Sequence, residues 1–157
     1  LIVLGPNKHR SLNDDSLPSS QLNDLLKRKE NKESIFFIGE VENPDIYYKM
    51  SDVFLLPSRK EGFPNALLEA MSSKLPSLII NAPWVKGVTL FKHFHNILIS
   101  EENDLESILN NLNKIYHNVE LRNKIGSNAQ MTVLKDHTLQ DQIVKYDSLY
   151  SNFYLRD

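Results

Sequence analysis

Apolar residues are concentrated in five short runs that polar stretches separate. The runs cover residues 1–4, 35–38, 53–56, 77–80 and 97–99. Continuous apolar runs, unlike alternating ones, are typical of strands that are covered on both faces, as in a parallel sheet between two helix layers. The pattern therefore predicts five strands in a mostly parallel sheet.

Helical spacing fills the intervals between these strands. Leu22, Leu25 and Leu26 are spaced as on one helix face, and residues 64–74 have the pattern of a compact helix. After the last strand only helices are predicted, over about residues 104–116, 119–134 and 139–153, with Asn103 and Thr138 as N-caps. Alternation of strands and helices favours a doubly wound α/β fold with a helical tail from about residue 103.

The composition fits one domain over residues 1–157. The chain is 41% hydrophobic and 24% charged, lacks cysteine and has a formal net charge of −2. This charge does not favour a nucleic-acid partner or a polybasic anchor, and no apolar run approaches the roughly 20 residues that span a bilayer. We expect a cytoplasmic protein, and because the chain opens inside a strand without Met, we expect it to be part of a longer one.

The segment after the third predicted strand carries the most chemistry. It runs from a buried strand through a glycine-containing turn into a helix that Pro64 opens. The main-chain amides of Asn65, Ala66 and Leu67 are then expected to be free at the helix start, where they suit phosphate oxygens or sugar hydroxyls. Since ligands of such sheets bind at the carboxyl ends of strands, this loop is the leading candidate site.

Two carboxylates frame this helix start. Glu61 lies in the turn and Glu69 lies about one and a half turns into the helix. A carboxylate can accept one hydrogen bond from each hydroxyl of a vicinal diol, as ribose and hexoses present. Glu69 also fits a plain solvated face that it would share with Asn65, Ser72 and Ser73. In that arrangement the residues that pack inward would be Ala66, Leu67, Ala70 and Met71. Spacing alone leaves both interpretations open.

Several segments together resemble the signature of GT-B glycosyltransferases of family 4, also called glycosyl transferases group 1. The signature residues are 52–58, 61–65 and 68–71, and the strands at 1–5, 35–39 and 95–99 follow in the family's order. Residues 44–52 resemble the short helix that leads into the family's signature strand. The resemblance implies the C-terminal, donor-binding domain: a Rossmann-like doubly wound parallel sheet that lacks its first strand. It implies retaining transfer of a sugar from a nucleotide-diphosphate donor to an acceptor hydroxyl, in bacterial polysaccharide or glycoconjugate synthesis.

The resemblance also implies roles for residues. Glu61 would act at the donor sugar as the catalytic group, Glu69 would hold the ribose, and Gly39, Glu40 and Val41 would lie near the base. The implied donor-binding residues are Glu61, Gly62, Phe63, Pro64, Asn65, Ala66, Leu67 and Glu69. Oriented N–H groups would stabilise the charge that grows on the leaving diphosphate. No cofactor and no metal are expected.

Departures from the family pattern limit what the chain does alone. The N-terminal acceptor-binding domain is missing, and so is the first strand of the donor domain with its basic residues. Residues 81–87 lack the usual paired glycines, and Pro6 and Asn7 replace part of the first glycine-rich turn. We expect the isolated chain to be inactive. Its partners would be the nucleotide sugar, the missing domain and, through the parent protein, the inner membrane face.

Other functions stay open. The alternative to an enzyme part is a non-catalytic, Rossmann-like nucleotide-binding or regulatory module. His93 and His95, and the group Lys8, His9 and Arg10, fit solvated surface better than a metal or phosphate site, whereas Trp84 suits stacking and packing about equally. The last helix carries an aromatic stripe, which is compatible with an orphaned domain interface. Its residues are Tyr146, Tyr150, Phe153 and Tyr154.

Overall fold

The computed structural model describes residues 1–4 and 34–154, which separate into two compact units, Leu1–Pro44 and Asp45–Asp157. The helix predicted around Leu22 to Leu26 lies outside the described residues, as do Pro6, Asn7, Lys8, His9 and Arg10. A single domain over the whole chain stays a prediction.

The first unit contains two parallel strands, β1 (Ile2–Leu4) and β2 (Phe36–Gly39). Ile2 lies opposite Phe36, and the register shifts between Val3 and Leu4, so that Leu4 lies opposite Gly39. Gly39 has a φ of 90°, in the left-handed region that glycine adopts without steric cost. This glycine therefore fixes the point at which the chain leaves β2.

The second unit contains three strands and five helices among its described residues. In chain order these are α1 (Asp45–Met50), β3 (Phe54–Leu56), α2 (Asn65–Ser72), β4 (Ser77–Ile80), β5 (Leu98–Ser100), α3 (Leu105–His117), α4 (Val119–Asp136) and α5 (Leu139–Tyr154). A short 3₁₀ turn, Pro83–Val85, follows β4. The strands are parallel in the order β3-β4-β5. All predicted strands and helices within the described residues are confirmed to within one or two residues.

The central strand β4 explains the continuous apolar pattern. All four of its residues are buried. Ile79 belongs to a core cluster with Leu67 and Met71 of α2, and Leu78 belongs to a second cluster with Ile115 of α3. Because neighbouring residues of a strand point to opposite faces, β4 is covered on both sides. This two-sided cover confirms the predicted parallel α/β architecture.

The C-terminal end of α2 packs closely against α4. Lys74, just past the helix, has a φ of 61°, and the Gln130 side-chain amide donates to the Ser72 carbonyl at 2.7 Å. A Cβ atom added to buried Gly126 of α4 would lie 2.2 Å from the Lys74 carbonyl oxygen. Only glycine permits this approach without movement of the backbone, so Gly126 sets the distance between α4 and the end of α2.

The helix caps agree with the sequence at one position and differ at another. Thr138 caps α5 as predicted: its Oγ1 accepts from the Asp141 amide at 3.2 Å, and the Thr138 amide donates back to Asp141 at 3.1 Å. The prediction of Asn103 as a cap is wrong. Asp104 caps α3 by accepting from the Ser107 amide at 2.9 Å, because Asn103 adopts a left-handed φ of 62° one residue earlier.

No described helix is long and apolar enough to cross a bilayer.

Candidate functional site

The loops that follow β3, β4 and β5 are tied to one another. Trp84, after β4, donates from Nε1 to the Ser58 carbonyl at 2.8 Å. Arg59 of the β3 loop lies 3.5 Å from the Glu102 carboxylate and also donates to the Asn103 side chain, and both partners follow β5. These contacts fix the β3 loop at the carboxyl edge of the sheet, where the sequence places the candidate site. The anchoring role of Arg59 was not predicted, since an arginine in a loop has no distinctive sequence pattern.

The start of α2 differs from the prediction. The helix begins at Asn65, and Pro64 stands at the N-cap position with φ −81° and ψ 67°. These angles make an inverse γ-turn, in which the Asn65 amide donates to the Phe63 carbonyl at 2.9 Å. The Leu67 amide donates to the Pro64 carbonyl at 3.0 Å. The expectation of free amides is therefore wrong for Asn65 and Leu67, because the tight turn supplies acceptors from the preceding chain.

The predicted loop residues are only partly brought together. Gly62, Phe63 and Pro64 line one cavity of about 590 Å³, whereas Glu61 and Glu69 do not line it. Glu61 is half-buried in the loop, and Gly62 and Phe63 are exposed. A Cβ atom at Gly62 would meet no atom within 4 Å, so the fold itself does not require glycine there.

Glu69 is exposed on α2, but its carboxylate is held. Tyr48 of α1 donates from its hydroxyl to Glu69 Oε2 at 3.1 Å. The Tyr48 side chain is 7% exposed, and its ring packs edge-on against Phe54 at 5.8 Å between centroids. Glu69 is therefore exposed, as on a solvated face, and is also hydrogen-bonded to α1. Among the other residues of α2, Leu67, Ala70 and Met71 pack inward as predicted, whereas Ala66 is exposed.

The Tyr48 hydroxyl remains protonated at all ordinary pH values. Burial, together with the hydrogen bond to Glu69 and the negative charge of its carboxylate, raises the pKa of Tyr48 to about 12. Tyr48 therefore acts only as a donor toward Glu69. The sequence indicated a short helix before β3 but not this role, because an inward-facing tyrosine has the same pattern as a simple core residue.

The three residues predicted near the base lie in the first unit. Gly39 is buried at the end of β2, Glu40 is exposed and Val41 is half-buried. All three lie at the carboxyl end of β2, which is where ligands of parallel sheets bind. Their contact with a base stays a prediction.

The two histidines near β5 are tied to the fold. His93 Nδ1 accepts from the Ile99 amide at 2.8 Å, and the Asn128 side chain donates to the His95 carbonyl at 3.0 Å. Burial, and then the positive charge of Lys114, lower the pKa of His93, against a smaller opposite effect of Glu101. Across the described residues, no group of three His, Cys, Asp or Glu side chains is arranged to hold a metal ion.

Comparison with known proteins decides the family. The family model of glycosyl transferases group 1 matches residues 1–132, which include the first unit, the loop between β3 and α2, and the second unit as far as α4. The chain belongs to this family. Residues 52–71, on which the resemblance rested, thus lie within the part that group 1 glycosyltransferases share.

Relatives in the group 1 family include enzymes of bacterial polysaccharide synthesis. The chain is 30% identical over 120 residues to an Escherichia coli UDP-Gal:α-D-GlcNAc-diphosphoundecaprenol α-1,3-galactosyltransferase, covering 76% of this chain and 30% of that protein. It is 28% identical over 127 residues to the capsular polysaccharide biosynthesis glycosyltransferase CapM of Staphylococcus aureus, covering 76% and 31%. The chain spans about a third of the length of these relatives.

A solved structure supports the group 1 fold. The chain superposes on Anabaena Alr3699/HepE, determined in complex with UDP and glucose, with a TM-score of 0.79 and 18% identity. The match covers 96% of this chain and 40% of that one. At this identity the likeness concerns the fold alone, and it confirms the predicted Rossmann-like GT-B architecture.

Proposed function

We propose that this chain is the donor-binding half of a retaining glycosyltransferase that uses a nucleotide-diphosphate sugar. The observation that carries the proposal is the exposed Glu69 carboxylate, held by buried Tyr48 at 3.1 Å on the helix that follows β3. The UDP-Gal donor of the galactosyltransferase relative and the UDP in the HepE structure support this donor class. The names of the relatives support a role in bacterial polysaccharide or glycoconjugate synthesis.

Glu69 would bind the ribose of the donor. An ionised carboxylate offers about four acceptor positions, so one hydrogen bond from Tyr48 leaves positions for two adjacent hydroxyls. Tyr48 would keep one oxygen in place, which reduces the rotamer freedom that Glu69 loses when the ribose binds. In this assignment Tyr48 is a positioning residue and Glu69 is the residue that contacts the ligand.

Glu61 would act at the donor sugar. With the Asn65 and Leu67 amides engaged within the chain, we assign the diphosphate to the amides of Gly62, Phe63 and Ala66. Breaking the glycosidic bond places negative charge on the diphosphate, which oriented N–H groups stabilise most effectively in a site that excludes water. The proposal assigns this task to main-chain groups, without a metal ion or cofactor.

The acceptor would be positioned by a second domain that this chain does not include. The last helix is compatible with that, because Tyr146, Tyr150 and Phe153 are 58%, 60% and 75% exposed. Such aromatic exposure is typical of surfaces that meet a partner. The complete protein would act in the cytoplasm at the inner membrane face, where lipid-linked acceptors lie.

The test compares this chain with the longer protein that contains it. Both are incubated with labelled nucleotide sugars and a range of acceptors, and UDP binding is followed by thermal shift. We expect transfer only by the longer protein, since the acceptor hydroxyl must be held within about 3.5 Å of the anomeric carbon. Robust transfer by this chain alone would contradict the two-domain mechanism. UDP binding without transfer by either protein would favour the regulatory module instead.

A further inference from the structure

The cavity beside the start of α2 begins at the loop to which the donor diphosphate is assigned. Gly62–Pro64 line it, whereas Ala66 and Glu69, assigned to the diphosphate and the ribose, do not. A nucleotide sugar joins ribose, diphosphate and sugar in that order, so the cavity lies beyond the diphosphate, where the sugar extends. Its volume of about 590 Å³ is within the roughly 300–1,000 Å³ usual for ligand sites.

One wall of the cavity is aromatic and held in place. Trp84 and Phe91 pack edge-to-face with their ring centroids 6.2 Å apart, and the Trp84 Nε1 hydrogen bond to the Ser58 carbonyl fixes the indole ring. Phe63 adds a ring that is 61% exposed. Because aromatic rings offer large apolar faces, this wall suits the apolar face of a sugar ring.

A buried asparagine holds another wall of the cavity. Asn96 is 1% exposed, and its side-chain amide donates to the Leu90 carbonyl at 2.8 Å and to Thr132 Oγ1 at 3.0 Å. The same side chain accepts from the Lys92 amide at 2.8 Å, and the Lys92 carbonyl accepts from the Asn96 amide at 3.1 Å. The main chain of Lys92 is therefore fixed relative to α4, the helix that carries Lys135.

The charges that line the cavity have one sign. Lys92 and Lys135 line it, and none of the described lining residues is Asp or Glu. Neither lysine forms an ion pair with any residue that the structure describes. The chain as a whole has a formal net charge of −2, so two cations without acidic neighbours in one cavity are a local feature. A concave surface with this charge attracts anionic groups.

His137 is a second, independent indication of a ligand. It lines the cavity, and its Nδ1 atom is buried without a hydrogen-bond partner among the described residues. Asp141 interacts electrostatically with His137, but its carboxylate accepts hydrogen bonds from the Thr138 hydroxyl at 2.5 Å and the Thr138 amide at 3.1 Å. Buried polar atoms without partners are rare in folded proteins, and a ligand oxygen or hydroxyl would supply the missing partner.

We propose that the donor sugar is acidic: a hexuronic acid whose carboxylate binds Lys92 and Lys135 and whose ring packs on Trp84. This inference rests on the proposed function and specifies its donor more narrowly. The carboxylate of a hexuronic acid lies on the carbon outside the ring, away from the anomeric carbon that reacts. Glu61 precedes Gly62 and does not line the cavity, so it acts at the hydroxyl edge of the sugar while the carboxylate enters the cavity.

The test titrates the full chain with matched acidic and neutral donors. UDP-glucuronic acid is compared with UDP-glucose, UDP-galacturonic acid is compared with UDP-galactose, and UDP alone is the reference. By calorimetry, at least one acidic donor should bind about tenfold tighter than its neutral counterpart, because a carboxylate makes charge-assisted hydrogen bonds with lysine. Trp84 is the only tryptophan of the chain, so its fluorescence should change more with that donor than with UDP.

Matched lysine variants separate this contact from general attraction between charges. The double variant Lys92→Gln/Lys135→Gln should reduce the preference for the acidic donor to less than about threefold, because the charge-assisted bonds are lost. Its UDP affinity should stay within about twofold of wild type, as expected where only screened charges change. Lys124→Gln changes an exposed lysine of α4 that does not line the cavity, and it should keep the full preference.

Four results would overturn the acidic donor. They are equal binding within both donor pairs, an unchanged preference in the double variant, a Trp84 fluorescence that does not respond to the sugar, and an equal loss of UDP affinity in the double variant. The last result would assign the lysines to the diphosphate. UDP binding without any preference leaves the proposed function standing, whereas no binding of UDP or of any donor contradicts the proposed function and this inference together.

Discussion

The two ends of α2 have opposite surroundings. At the C-terminal end, the Ser73 and Leu75 amides both donate to the Ala70 carbonyl, Gln130 donates to Ser72, and α4 approaches through Gly126. At the N-terminal end, Phe63 and Asn65 are exposed, and a side chain at Gly62 would meet open space. The C-terminal end of α2 is therefore fully packed, whereas its N-terminal end is accessible to solvent.

This difference separates the contribution of α2 to stability from the contribution to ligand binding that we propose for it. The C-terminal end satisfies its carbonyls inside the protein and leaves no room for a ligand. The N-terminal end keeps polar groups and a glycine exposed beside a cavity. Substitutions at the two ends should therefore affect different measurements, the free energy of unfolding at one end and ligand affinity at the other.

The largest effect on stability is expected from Gly126→Ala. The new Cβ atom would lie 2.2 Å from the backbone oxygen of Lys74, so the backbone itself must shift. We expect a loss of about 3 kcal/mol from overpacking, offset by less than about 1 kcal/mol from the better helix propensity of alanine. Urea unfolding measures the difference.

Gly62→Ala is the matched control for this substitution. Its Cβ atom meets nothing within 4 Å, so the free energy of unfolding should change by less than about 0.5 kcal/mol, as for ordinary surface positions. Comparable destabilisation by both alanines would show that the two ends of α2 do not differ as described.

The sequence predicted the tightly packed part of the molecule well. Residues 77–80 were predicted as a two-sided buried strand, and they are β4 with that range. Leu67, Ala70 and Met71 were expected to face inward, and they do. Burial imposes a period on the sequence, and this period can be detected without knowledge of the neighbouring elements.

The details of the candidate site were less predictable. The amides of Asn65 and Leu67 are engaged because Pro64 adopts a γ-turn, a backbone choice that residue type alone does not determine. Tyr48 meets Glu69 from 21 positions away, and Arg59 reaches Asn103 from 44 positions away. Such contacts depend on how the elements pack against one another, so the local sequence pattern does not predict them.

The second largest effect should appear at Glu69 and concern binding. Glu69→Gln removes the charge that would accept hydrogen bonds from the ribose, with an expected cost of about 1.5–3 kcal/mol, or about 10- to 150-fold in UDP affinity. Calorimetry with UDP measures it. Glu61→Gln should leave UDP affinity nearly unchanged and reduce sugar transfer by the longer protein. Equal losses of UDP affinity in both variants would contradict the separate roles.

A smaller effect is expected from Tyr48→Phe, which keeps the ring packing on Phe54 and removes only the hydroxyl. Glu69 would lose its fixed partner, so UDP affinity should fall about fivefold, corresponding to a hydrogen bond of about 1 kcal/mol. A structural role alone would change stability without this loss of affinity. Unchanged UDP binding in the variant would show that Tyr48 does not position Glu69.

The same variant makes a prediction about pH. The folded pKa of Tyr48, about 12, exceeds its ordinary value of 10.0, so the folded chain binds this proton more tightly than the unfolded chain. The resulting stability is fully present below pH 10 and is lost as the pH rises toward 12. Wild type should therefore lose more stability than Tyr48→Phe between pH 9 and 11 in urea titrations, and parallel losses would contradict the shift.

The smallest effect is expected at His93, which lies in the segment before β5 and does not line the cavity beside the start of α2. Its Nδ1 atom accepts the Ile99 amide at 2.8 Å, which requires the neutral ring. Burial and the charge of Lys114 lower the folded pKa below the ordinary 6.5, and Glu101 opposes them. The stability from this contact is therefore present above pH 6.5 and lost as the pH falls, and solvent screening keeps it below about 1 kcal/mol.

His93→Asn does not titrate in this range, so between pH 8 and pH 5 the variant should lose less unfolding free energy than wild type. UDP affinity at pH 7.5 should be equal in the two proteins, and a lower affinity in His93→Asn would mean that the segment before β5 is coupled to the proposed donor site at α2.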